Sequence, residues 1–205
     1  MKTVNLCLLG DSISYGAWDV SGGWVDRLRS YLHGITLASR FQSYYFAYHL
    51  GIPGDTTGDV LARLGYETEA REPHVIVLAV GINDARWRVP EQIPHVDEAV
   101  FRRNIETLIT EGRRFTQSLV FVGLTSVDES KTMPFEPNCY FENERIRRYD
   151  TIIRELTAAA GVLYLSAYDA LSPAEDLEDG LHPNARGHEK LFLLVRDFLL
   201  QYNLI

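Results

Sequence analysis

Cysteine is scarce in this 205-residue chain: Cys7 and Cys139 are the only two, and they stand far apart. A disulfide framework is therefore excluded as the main source of stability, and Cys7, set inside an apolar run, reads as a small buried hydrophobe. Long apolar runs are missing as well. None approaches the roughly 20 residues that a membrane-spanning helix needs. Val4–Leu9, interrupted by Asn5, is too short for a secretion signal and leads straight into a chemical motif. No cleavable segment is expected, and a reducing cytoplasm is the expected compartment. Positive charge is in deficit, with 20 Lys and Arg against 28 Asp and Glu and a net charge of −8. Such a surface repels phosphate backbones. The densest basic stretch, Arg145–Arg148, sits among Glu142, Glu144 and Asp150 and reads as a solvated helix face. Nucleic acid is not an expected partner; a small molecule is. Repeats, low-complexity tracts and Pro/Gly linkers are also lacking, so residues 1–205 are read as a single domain.

What is present is an alternation. Short apolar runs at Val4–Leu9, Tyr44–His49, Val75–Val80, Leu119–Leu124 and Val162–Leu165 are strand candidates. Between and after them Trp24–His33, Thr57–Thr68, Val96–Arg114, Glu142–Ala160 and Asn184–Tyr202 each place an apolar stripe on one helical face. Val75–Val80 is apolar throughout rather than alternating, the pattern of a strand covered on both faces. The expected fold is a three-layer α/β/α sandwich around a parallel sheet. Thr125–Tyr140, with Pro134 and Pro137, is too broken for helix or strand and is either a functional loop or an ordered surface excursion.

Ligands of open parallel sheets bind outside the carboxyl ends of the strands, so the strand-to-helix junctions carry the chemical information. Gly10-Asp11-Ser12-Ile13-Ser14-Tyr15-Gly16 follows the first strand and Gly51-Ile52-Pro53-Gly54-Asp55 the second. Gly81-Ile82-Asn83-Asp84 follows the third and Asp179-Gly180-Leu181-His182-Pro183 the last. A serine hydroxyl needs an adjacent base, and the base needs a group that fixes its tautomer. Ser12 and His182 are the candidate nucleophile and base. Asp179, three residues before His182, is the candidate orienting carboxylate, with Asp176 and Glu178 as competitors. The candidate donors for an oxyanion are the Ser12 N–H, the Gly54 N–H and the Asn83 amide. No His or Cys cluster joins Asp179 and His182, so no metal is expected. His188 is read as a helix residue near the surface. Each junction alone has a bland reading, as a helix cap or a turn; their conjunction makes the case.

These residues resemble the SGNH hydrolases, also called the GDSL esterase/lipase family, in four ordered blocks that span nearly the whole chain: Gly10-Asp11-Ser12-Ile13, Gly54, Gly-x-Asn83-Asp84 and Asp179-x-x-His182. The resemblance implies a flavodoxin-like sheet of order 2-1-3-4-5, the four name-giving roles for Ser12, Gly54, Asn83 and His182, and a triad completed by Asp179. One position departs: His49 stands where the second block usually begins with Asn. The implied reaction is hydrolysis of a small or short-chain acyl ester through an acyl-enzyme, without a cofactor. Carbohydrate O-acetylesterases, thioesterases and lysophospholipases belong to the same family, and a sugar deacetylase is the runner-up. Substrate contacts are expected from Ser14, Tyr15, Trp18, Arg86, Trp87 and Arg88 and from the 125–140 segment. A non-catalytic module holding a phosphate or nucleotide at the same rim is the alternative of another class. It is disfavoured because the Gly10–Gly16 turn has neither a Walker lysine nor the G-x-G-x-x-G pattern.

Overall fold

The computed structural model describes residues 2–205. Five parallel strands form the central sheet: β1 (Lys2–Gly10), β2 (Ser43–Gly51), β3 (Val75–Ala79), β4 (Ser118–Val122) and β5 (Leu163–Leu165), in the order β2-β1-β3-β4-β5. The principal helices are α1 (Gly23–Ala38), α2 (Thr57–Glu69), α3 (Glu98–Gly112), α4 (Asn143–Ala160) and α5 (Ala185–Gln201). Strand order and layering are those expected from the alternation of apolar runs and from the four-block resemblance.

The pleat of β1 divides the core in two. Cys7 and Leu9 face one way and meet Val60 and Leu64 of α2, Phe101 and Ile105 of α3, and Ile146, Tyr149 and Ile153 of α4. Leu6 and Leu8 face the other way and meet Trp24, Val25, Leu28 and Leu32 of α1 together with Leu191, Val195 and Leu199 of α5. Successive side chains of a strand point to opposite faces, so an unbroken apolar run supplies both cores. Local sequence sets the helix starts. Thr56 and Asp59 form a capping box at α2, and the Asn184 side chain accepts the Arg186 and Gly187 N–H groups at 3.1 Å each to begin α5.

β1 ends level with both neighbours: Gly10 is in register with Gly51 of β2 and with Ala79 of β3. The Ser12 turn, the Ile52–Asp55 turn and the Val80–Asp84 turn therefore leave the sheet from one rim.

Several readings are corrected. Arg145 is not part of a solvated face: it is buried, with its guanidinium 4.3 Å from the centre of the Trp87 ring, whereas Arg147 and Arg148 are exposed as read. His188 is fully buried. The 125–140 segment contains a helical turn, Glu129–Thr132, and a strand, Cys139–Tyr140, that pairs with Trp87–Arg88 in a small antiparallel sheet completed by Ile93–Pro94. Two-residue strands are too short to leave a periodic signal. The fourth strand stops at Val122 rather than Leu124, because Leu124 N–H leaves the ladder to donate to Asp150 Oδ1 at 2.9 Å.

Phe101 is fully enclosed, its ring 4.7 Å from that of Tyr149, and a side chain on Gly81 would meet it at 3.2 Å. Phe101→Ala is expected to lower stability by about 3–5 kcal/mol, since the cavity opens in a two-sided core that collapses poorly. A urea midpoint within experimental error of the parent would contradict this packing.

Candidate active site

Asp11 and Ser12 begin the short helical turn Ser12–Tyr15. The Asp11 side chain accepts the Ile13 N–H at 2.9 Å, capping the turn and fixing where the serine emerges. Asp11 is buried, and burial pushes its carboxyl up to about 6.

The last junction is a tight reverse turn. Leu177 and Pro183 form an antiparallel bridge, and Glu178 N–H donates to the His182 carbonyl at 2.8 Å. Within it, Asp179 Oδ1 accepts the backbone N–H groups of Leu181 at 3.0 Å and His182 at 2.8 Å, while Oδ2 lies 2.7 Å from His182 Nδ1. Partial burial pushes the Asp179 carboxyl up. The ring and backbone hydrogen bonds of His182, its charge and the Leu181 N–H outweigh that and hold it well below the usual carboxylate range. The other face of the imidazole meets the nucleophile turn, with Nε2 2.9 Å from Ser12 Oγ. Of the three carboxylates weighed for the orienting position, Asp179 is the one in contact with the ring. Asp176 faces Lys190, Arg186 and the Ser172 N–H instead.

Asn83 Nδ2 donates to the Asp55 carbonyl at 3.0 Å, tying the third junction to the second. Gly54 has φ +88°, a backbone that favours glycine, and open space where a Cβ would stand. His49, the departure from the usual Asn, lies 3.5 Å from Asp26 of α1. The turn is held by a residue that sequence reasoning missed. Arg63 of α2 bonds Asp55 Oδ2 through Nε at 2.8 Å, and its NH2 group donates to the carbonyls of Leu50 at 2.8 Å and Gly10 at 3.1 Å. A single guanidinium thus joins the ends of β1 and β2 to the Gly54 turn. Asp84, fully buried, accepts the Thr57 N–H at 2.9 Å and its hydroxyl at 2.5 Å. Burial, opposed by these bonds, pushes its carboxyl up to about 7.

A cleft of about 600 Å³ opens over Ser12, His182, Asn83 and Gly54. Tyr15, Trp18 and Arg86 line it as expected, and the 125–140 segment contributes Phe135, Glu136 and Cys139. Three expected contacts lie elsewhere. Ser14 is buried behind the nucleophile turn, Trp87 packs against Tyr140 under Arg145 in a separate groove, and Arg88 pairs with Glu91. Among the described residues no group of three or more His, Cys, Asp or Glu is placed to hold a metal ion, and no helix is long and apolar enough to cross a membrane. The constellation sets the Ser12 hydroxyl against the His182 imidazole and the imidazole against the Asp179 carboxylate, with Gly54 and Asn83 lining the same cleft.

A model of the GDSL-like lipase/acylhydrolase family matches residues 8–190. The chain belongs to this family. Ester hydrolysis is the chemistry that goes with that membership. Among curated proteins, this acylhydrolase is 26% identical over 92% of its length to a multidomain esterase of Ruminococcus flavefaciens, of which the match covers 27%. It is 22% identical over 73% of its length to an acetylxylan esterase of Geobacillus stearothermophilus, of which the match covers 68%. Among solved structures, a lipase/acylhydrolase from Enterococcus faecalis superposes with a TM-score of 0.75 at 28% identity, over 96% of this chain and 95% of that one. The acetylxylan esterase Axe2 of Geobacillus stearothermophilus, as its W215I variant, superposes with a TM-score of 0.72 at 21% identity, over 96% and 93%, a likeness of fold.

Because the folded-state pKa of Asp84 is raised, its contribution to stability is fully present below the ordinary carboxylate value and is lost as pH rises through about 7. Asp84→Asn removes that titration. The stability of the parent relative to the variant is therefore expected to fall between pH 4 and pH 8, as read from denaturant midpoints. A pH-independent difference would show that Asp84 ionises in the fold as it does in the open chain.

Proposed function

We propose that this acylhydrolase cleaves a small or short-chain carboxylic ester, with Ser12 as nucleophile, His182 as general base and then acid, and Asp179 as the carboxylate that orients and supports the imidazole. The observation that carries the reading is the continuous hydrogen-bonded chain from Ser12 Oγ to His182 Nε2 at 2.9 Å and from His182 Nδ1 to Asp179 Oδ2 at 2.7 Å, at the floor of the cleft. Ser12 Oγ attacks the acyl carbonyl as its proton passes to His182 Nε2. The negative oxygen is held by the Asn83 amide and the N–H groups of Ser12 and Gly54. Collapse breaks the bond to the alcohol, which leaves with the proton from His182. Water then repeats the sequence on the acyl-enzyme and returns the hydroxyl of Ser12. No cofactor takes part in these steps.

The acyl group is read as short. Tyr15 and Trp18 stand at the mouth, 53% and 66% exposed, and offer flat apolar faces of the kind on which sugar rings pack. With the acetylxylan esterase among the relatives, this favours an O-acetylated carbohydrate as the second reading within the same reaction. Initial rates on an acetylated xylo-oligosaccharide, an aryl acetate and an aryl octanoate separate the two. Acetyl release confined to the sugar would replace the generic esterase by a deacetylase, and a preference for octanoate would overturn both.

Ser12→Ala and His182→Ala are each expected to abolish most turnover, with the double variant little worse than either, because the pair acts as a unit. Additive losses, or a Ser12→Ala protein that still hydrolyses the aryl ester, would sink the assignment, and a parent protein that takes no adduct of a serine-directed organophosphorus probe on Ser12 would favour the non-catalytic binding module. Asn83→Ala is expected to lower kcat by on the order of 10²–10³, ~3–4 kcal/mol of transition-state stabilisation, with a much smaller change in KM. An unchanged kcat removes Asn83 from the site.

A further inference from the structure

Trp18 combines two features that are unfavourable in isolation. Its φ is +68°, a region that a bulky residue rarely adopts, and its large apolar side chain is 66% exposed. Neither is repaid by burial in a core. What the residue gains is contact with the far end of the chain. Its indole Nε1–H donates to Asp179 Oδ2 at 2.8 Å, and its ring stands edge-on to the His182 imidazole, with centroids 5.9 Å apart and planes at 82°.

The loop that presents it is firmly built. Ala17 N–H donates to the Ser12 carbonyl at 3.0 Å and Asp19 N–H to the Gly16 carbonyl at 3.1 Å, so the loop folds directly on the nucleophile turn. Asp19 is buried and paired with Arg27 of α1. Gly16 and Gly23 touch so closely that a Cβ on either would overlap the backbone of the other. The positive φ of Trp18 is therefore imposed by a fixed loop.

The carboxylate of Asp179 thereby receives four N–H donors: Leu181 and His182 backbone on Oδ1, and the His182 ring and Trp18 indole on Oδ2. The first three come from its own turn; Trp18 is 161 residues away in sequence. Trp18 Nε1 also lies 3.2 Å from His182 Nδ1. An indole nitrogen only donates, so when Nδ1 carries its proton the two N–H groups converge on one oxygen rather than bond each other. That state leaves Nε2 free to accept from Ser12.

We propose that Trp18 is a positioning residue for the hydrolytic site, its indole N–H sharing Asp179 Oδ2 with the His182 ring and so setting how strongly Asp179 holds the imidazolium. The proposal rests on Ser12, His182 and Asp179 acting as described above. Two donors on one oxygen divide its negative charge, so the second weakens the pull on the first. Asp179 then holds the ring N–H less tightly than it would if free of Trp18, which eases return of the imidazole to the neutral form that accepts from Ser12. The same ring lines the cleft, so substrate pressed against Trp18 bears on the group that aligns the base.

The test compares kcat/KM against pH for the parent, Trp18→Phe and a protein with 3-benzothienylalanine at position 18, which keeps the bicyclic shape and replaces the N–H by sulfur. Besides Asp179 on its own turn, the charged and titratable groups around His182 are Asp11 beneath the nucleophile, His188 of α5, and Tyr15, Asp19, Arg86, Glu136 and Cys139 in the same cleft. All are unchanged across the series, so differences report on the indole N–H. With an aryl acetate small enough to leave Trp18 untouched, both variants are expected to shift the acid limb upward by about 0.5 pH unit, roughly a threefold loss at a fixed pH on that limb. KM on the alkaline plateau should stay within about twofold. An acid limb that coincides with the parent in the benzothienyl protein overturns the proposal, and that variant preserves the shape if Trp18→Phe disturbs the loop. Failure here is distinct from failure of the triad. A Ser12→Ala protein that is inactive beside unshifted Trp18 variants refutes the role of Trp18 alone.

Discussion

β1 is hydrogen-bonded on both sides, and its final residue is level with the final residue of β2 on one side and of β3 on the other. Everything at the site depends on that coincidence of endings. Three chain segments must turn away from the sheet at the same height, and each turn carries one part of the proposed chemistry: the hydroxyl of Ser12, the glycine turn at Gly54 and the amide of Asn83. A strand slipped by one residue would reverse the facing of its side chains, and the register is held because both faces of β1 are buried, Cys7 and Leu9 on one side and Leu6 and Leu8 on the other. The apolar run that fills two cores is thus also the part that aligns three junctions.

Electrostatics around the rim separates carboxylates of one residue type into different states. Asp11 and Asp84 are enclosed, and burial raises both toward neutrality, although backbone and hydroxyl donors oppose it. Asp179 is more open to solvent, takes four donors and keeps its charge far into acid. A negative charge therefore stands beside His182 Nδ1, where the proposed reaction would need it. The enclosed pair acts structurally: Asp11 caps the serine turn and Asp84 pins the start of α2 through Thr57. Environment, rather than residue type, decides which of these acids keeps its charge beside His182.

Much of this was legible from residue types and spacing. Apolar runs announced the strands, and the residues following them announced the rim, because in a parallel sheet the strand ends and the chemistry coincide. Asp179 and His182 were readable as a unit since three residues on one turn need no tertiary knowledge. Side chains that act across the fold were not readable in that way. Arg63 sits on an amphipathic helix, where an arginine ordinarily faces water, and only the packing of α2 against the ends of β1 and β2 turns it inward. Arg145 and His188 were misread for the same reason, since a charge or an imidazole on a helix face is assigned to solvent unless its cover is known. Trp87 follows Asn83 closely in sequence, yet its strand pairing with Cys139–Tyr140 carries it away from the cleft into a stack with Arg145.

The departure at His49 shows how such long-range contacts redistribute a role. In a junction where the family usually has Asn, this chain has a histidine turned toward Asp26 of α1, so position 49 supplies no support to the Gly54 turn. The need for support remains, because an amide donor stabilises a developing charge only if it is preset and does not have to reorganise. Arg63 meets that need from the opposite side, through three hydrogen bonds that reach both strand ends and Asp55. Asn83 adds a fourth tie through the Asp55 carbonyl. Rigidity at the turn is therefore a property of α2 and of the third junction together. A substitution that unseats α2 would reach the Gly54 turn without altering any of the four motif blocks.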